Sequence, residues 1–156
     1  MDTEVSHDAL LTSLQQEQNR LLDLLPRFSD EQWQISARDD GWTVHDIVMH
    51  MADATYGLSL MVLGEIQPSL AIDPQTGWMD VGAYNEQRRQ KNAGLSREKA
   101  MSRITSSFVQ ARRAIESTDD RDAPGPYGPI YTKGQWLQRI VNHLEEHRHD
   151  LEQMGA

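Results

Sequence analysis

Apolar residues recur at helical spacing in four separate stretches of this chain, and each stretch offers a single stripe to bury. The first, from about Ser6 to Leu25, carries Leu10, Leu14, Leu21 and Leu25 and is stopped by Pro26. The second opens at Thr43-Val44-His45-Asp46, with Thr43 as N-cap and Asp46 placed to reach back. It presents Ile47, Met51, Ala54, Leu58 and Met61 and is expected to run to about Leu63, with Gly64 as C-cap. A third stretch, capped by Ser96 and reaching about Ser117, turns Met101, Ile104, Phe108, Ala111 and Ile115 inward. The last, opened by Thr132-Lys133-Gly134-Gln135, continues to about Gln153 and buries Leu137, Ile140, Leu144 and Leu151. Four such helices bury one another most simply as an antiparallel four-helix bundle. An all-α fold with additional short helices is therefore expected, with residues 1–156 as one domain.

The shorter pieces follow from local chemistry. Ser29-Asp30-Glu31-Gln32 has the form of a capping box and predicts a short turn of helix carrying Trp33. Residues 36–41 are polar and read as a loop, and residues 68–77 as a connection bearing Pro and Gly. A further helical piece spans roughly Trp78 to Asn92 and breaks at Gly94. The stretch from Asp119 to Tyr131 holds Pro124, Gly125, Pro126, Gly128 and Pro129, and is expected to be loop. No segment has the alternation of a strand.

Charge and composition remove whole classes of function. A formal charge of -9 argues against nucleic acid as a partner, because that binding is driven by Lys and Arg neutralising phosphates. The basic cluster Arg88-Arg89-Gln90-Lys91 lies beside acidic neighbours and reads as a solvated helix face. No stretch approaches the roughly 20 apolar residues of a membrane span. Met1-Asp2-Thr3-Glu4 lacks the basic start of a signal peptide, so a cytoplasmic location is expected. The chain contains no cysteine, which leaves nitrogen and oxygen ligands for any metal.

Six histidines are present, and their phases differ. His147 falls in the apolar series of the last helix, and His143 lies one turn earlier on the same side. A pair four residues apart presents two imidazoles to one ion, although two solvated histidines on an acidic helix look the same. The second long helix adds weight to the metal reading. His50 sits beside its apolar series, and the small residues Ala54 and Gly57 leave room over its ring. His45 projects about 140° from His50 and is expected to be exposed. His7 lies near a helix start and His149 off the stripe. His50, His143 and His147 are thus the inward-facing set, and one divalent metal satisfies all three at once. Three neutral imidazoles suit zinc, nickel, iron or manganese and leave positions for water or substrate.

Asp40-Gly41-Trp42-Thr43-Val44-His45-Asp46-Ile47-Val48-Met49-His50 resembles the second-helix opening of the DinB-like superfamily, which ends in that family's first metal histidine. Asn142-His143-Leu144-Glu145-Glu146-His147-Arg148 resembles its last-helix motif, and Asp80-Val81-Gly82-Ala83-Tyr84-Asn85-Glu86 its central Asn-bearing helix. The order and spacing are similar over nearly the whole chain. The resemblance implies a four-helix bundle, a homodimer, and His50, His143 and His147 as metal ligands. Many relatives carry a second histidine just before the arginine, where this chain has Glu146.

The superfamily is related to bacterial thiol transferases and to a mycothiol-dependent maleylpyruvate isomerase. The resemblance therefore implies an enzyme that moves a low-molecular-weight thiol, of the bacillithiol or mycothiol kind, onto or within a small electrophilic substrate. A metal-dependent hydrolase of a small amide or ester uses the same site, and a non-catalytic stress-response module keeps the same fold. Asp46 and Asp53 flank His50 as candidate acid/base groups, with capping and solvation as their plainer roles. Tyr84, Asn85 and Arg88 are candidates for a site mouth, and Trp42 and Trp136 for packing anchors.

Overall fold

A computed structural model describes residues 6–35, 38–68 and 81–155. Four long helices dominate: α1 (His7–Leu24), α3 (Val44–Val62), α5 (Arg97–Ser117) and α6 (Lys133–Gln153). A 3-10 turn (Leu25–Arg27) and the short helix α2 (Asp30–Gln34) link the first two, and α4 (Val81–Asn92) precedes α5. The all-α expectation is met. The start assigned to α4 at Trp78 and the connection over 69–77 lie outside the described residues.

Side-chain caps set the helix starts where the sequence placed them. Ser29 with Gln32, Thr43 with Asp46 and Thr132 with Gln135 each form a reciprocal capping box, while Ser6 and Ser96 accept a single backbone N–H. Gly64, just past α3, adopts φ +76°, a left-handed conformation that ends the helix and suits glycine.

Around the bundle, α3 packs on both α5 and α6, and α1 closes the other side against the same two helices. Arg97 at the start of α5 donates to the carbonyls of Leu25 and Phe28, while Arg112 farther along reaches Gln15 on α1. These two helices therefore run in opposite directions. Asp53 faces Arg103 and Glu65 faces Arg113, so α3 and α5 run the same way, which the long connection carrying α4 permits. The core joins Leu10, Leu14 and Leu21 of α1 to Ile47, Val48 and Met51 of α3, Ile104 and Phe108 of α5, and Leu137, Ile140 and Leu144 of α6. Within α3 the buried stripe continues through Ala52, Thr55, Ser59 and Val62. Ala54, Leu58 and Met61, expected in the core, are half-buried and line a cavity instead.

A buried ion pair crosses this core. Arg148 of α6 donates from Nε and Nη2 to the two carboxylate oxygens of Glu17 on α1, at 2.5 and 3.1 Å. Both residues are almost fully buried, and the fork-to-fork geometry is the strong form of this contact.

The segment expected to be loop contains a small antiparallel hairpin, β1 (Pro124–Gly125) with β2 (Gly128–Thr132). Gly128 turns the corner at φ +102°. The hairpin is fastened to α6 because the amides of Lys133 and Gly134 donate to the carbonyls of Ala123 and Arg121, giving partners to free N–H groups of the first turn. A Cβ on Gly125 would lie 2.3 Å from Cδ1 of Trp136, so the glycine lets the indole pass beneath β1.

Candidate metal centre

One turn of α3 and two turns of α6 bring His50, His143 and His147 together. The Nε2 atoms of His50 and His147 each lie 3.1 Å from Nε2 of His143, and one ligand atom from each of the three residues can be chosen within 4.8 Å of the others. The rings meet edge to face with centroids 4.4–4.9 Å apart. All three are half-buried or deeper, and burial pushes every one below the ordinary histidine range. His50 falls to about 4 and His143 to about 2, helped by the neighbouring imidazoles. In His147 the fall is opposed by the Asp150 carboxylate.

Proton placement shows what such a cluster fits. His147 Nδ1 lies 3.1 Å from Oδ2 of Asp150, which can only accept, so Nδ1 carries the proton and Nε2 presents a lone pair. His143 Nε2 has two neighbours but a single in-plane direction, so it serves only one of them with a linear N–H···N bond. A cation removes the conflict by taking the lone pairs together. Metal–nitrogen bonds of about 2.0–2.1 Å place neighbouring ligand nitrogens roughly 2.8 to 3.4 Å apart, between right-angled and tetrahedral geometry. The two distances to His143, each 3.1 Å, fall in that interval, and the ligand atoms of all three residues lie within 4.8 Å of one another. Asp150 stands where an outer partner would orient a ligating imidazole, and Arg38 in turn holds Asp150 at 3.4 Å. The cluster is compatible with a divalent metal.

Several side chains depart from the sequence expectation. His45 is buried, not exposed: Trp33 donates from Nε1 to its Nδ1 at 3.1 Å, and its Nε2 meets the Asn92 carbonyl at 3.2 Å. The angle from His50 was sound. It gave direction relative to one stripe, whereas Val44 through Met49 are buried on every side. Asp53, expected to be solvated, accepts from Arg88 Nε at 3.2 Å and from Asn92 Nδ2 at 2.7 Å. Of the basic cluster on α4, Gln90 and Lys91 are exposed as expected, but Arg88 pairs with Asp53 and Arg89 with Asp46 and Glu86. Asp46 keeps its capping role, and His149 is exposed.

A cavity of about 620 Å³ opens beside His50 and His143. Tyr84 and Asn85 of α4 line it as anticipated, and Arg88 does not. Trp136 packs on Tyr127 and Tyr131 and forms another wall. Trp42 sets its ring edge-on to His50 at 5.6 Å, with Arg38 over its face. Tyr127 and Tyr131 had no role in the sequence reading; an aromatic flanked by prolines and glycines was the only signal for them.

No curated protein and no solved structure matches this chain. A family model described as the DinB superfamily matches residues 13–151, which include all three converging histidines, the whole of α3 and all but the last two residues of α6. By that match, the chain belongs to the DinB superfamily.

Proposed function

We propose that the protein is a metal-dependent enzyme that transfers a low-molecular-weight thiol to a small electrophile, or isomerises a thiol adduct of one. The observation that carries this reading is the opening of the three-imidazole cluster onto a cavity of substrate size, with His50 and His143 in its wall. A structural metal would be closed off by a fourth protein ligand, and the cluster found among the described residues is three histidines alone.

His50, His143 and His147 would hold the ion, and Asp150 fixes the His147 tautomer. When bound, a divalent cation with three neutral ligands lowers the pKa of a thiol or water. The chain has no cysteine, so the sulfur arrives on a co-substrate. The cavity walls bring the electrophile to the same end of the bundle, and gathering two reactants is itself a large part of such a rate gain.

The test begins with elemental analysis before and after chelation and reconstitution. Thiol consumption is then followed with a model electrophile across a panel including bacillithiol- and mycothiol-type thiols, with free metal as control. Acceleration by wild type and none by His143→Ala is expected. Rates no better than free metal, together with amide or ester hydrolysis, would move the protein to the hydrolase reading, and silence in both assays would leave a non-catalytic module.

A further inference from the structure

The cavity beside His50 and His143 carries information about what fills it. Ala54, Leu58 and Met61 supply an aliphatic side, and Tyr127, Tyr131 and Trp136 an aromatic one. Gly57 lies between these α3 residues, in mid-helix, where glycine is disfavoured relative to alanine. A Cβ there would meet only Met61 Cε, at 3.9 Å, so the missing side chain opens space.

Charge is nearly cancelled around this space. Apart from the histidines, Asp53 and Arg139 are the titratable groups of opposite sign that reach it among the described residues. Asp53 is held by Arg88 and Asn92, and Arg139 donates to Glu146 at 2.9 Å. The Glu146 carboxylate thus sits beside this cation at the rim. A charged body placed here would lose its water and meet charges that already have partners, whereas the amides of Asn85, Gln138 and Asn142 in the wall can serve an isolated polar group on a neutral ligand.

We propose that the cavity takes the body of a neutral, mainly apolar electrophile, aromatic or branched aliphatic, with its reactive group at the His50–His143 end. This rests on the cavity being the substrate site of the reading above, and it names the class of that substrate.

The test uses the neutral fluorophore N-phenyl-1-naphthylamine, titrated into the full chain with and without zinc. Competitors are 1-naphthalenemethanol, 1-naphthalenesulfonate and 1-naphthylmethylammonium, which share a ring system and differ in charge. The fluorophore is expected to bind, and the neutral alcohol to displace it at least about tenfold better than either ion. Gly57→Leu is expected to weaken the fluorophore by about tenfold or more while keeping helical circular dichroism, and Gly57→Ala to change it by less than about threefold. His147→Ala, at a histidine of the cluster that does not line the cavity, is expected to lose zinc yet hold the fluorophore, so a failure of the metal reading is seen separately from a failure of this one. Equal displacement by the ions, wild-type binding in a folded Gly57→Leu, or no binding of the fluorophore would each overturn the proposal.

Discussion

Four histidines of this chain are buried or half-buried near one another in sequence or space, and their chemistry divides them. His45 accepts from Trp33 at Nδ1, so its proton sits on Nε2, facing the Asn92 carbonyl. His147 has the opposite tautomer, set by Asp150. Replacing His45 with alanine strands a buried indole N–H, and urea denaturation is expected to show a loss of about 1–3 kcal/mol, with zinc affinity nearly unchanged. The converging set predicts a pH effect of definite sign in the metal-free protein. Folding lowers His50 from 6.5 to about 4 and His143 to about 2, chiefly by burial. The unfolded chain then binds more protons below the ordinary histidine value, so stability is full above about pH 6.5 and falls as pH drops toward 4. Denaturation midpoints at pH 7.5 and 5, read with chelator present, are expected to show that decline, and a flat profile would contradict it. Periodicity made His50, His143 and His147 legible because each lies at the edge of an apolar stripe. It misplaced His45 because a stripe says nothing of what covers a helix from behind.

Between elements, the Glu17–Arg148 pair joins α1 to α6 one residue from His147. Glu17→Leu alone leaves a buried guanidinium whose remaining carboxylate partner among the described residues is Glu152, and a cost of about 3–5 kcal/mol in chemical denaturation is expected. Glu17→Leu with Arg148→Met should recover much of that loss, since an apolar pair of similar volume carries no desolvation penalty. The hairpin offers another test. In Gly125→Ala the new methyl group displaces Trp136 or β1, with an expected cost of about 1–3 kcal/mol and a change in Trp fluorescence. Capping boxes at Ser29, Thr43 and Thr132 were readable because both partners lie within four residues of sequence. The hairpin was not, since Pro124, Pro126 and Pro129 argue against strand and its backbone partners are few. The α4 arginines were misread for a related reason: Asp46 and Asp53, which anchor them, lie on another helix.

For the molecule as a whole, the helix stripes foretold the fold class, while the direction of each helix depended on a connection partly outside the described residues. The same separation has a thermodynamic side. His50 and His143 are 93 residues apart and belong to different helices, so the three-imidazole arrangement is absent from the unfolded chain. An ion held there acts by mass action on folding itself. At a free concentration a hundredfold above its dissociation constant, it adds about 2.7 kcal/mol, which for a chain of this length raises Tm by roughly 5–10 °C. Scanning calorimetry across a zinc titration is expected to show that rise in wild type and none in His143→Ala. In a cell, the fraction of chain open to proteases at any moment would then follow metal supply, so that scarcity of the ion lowers the amount of protein as well as its loading.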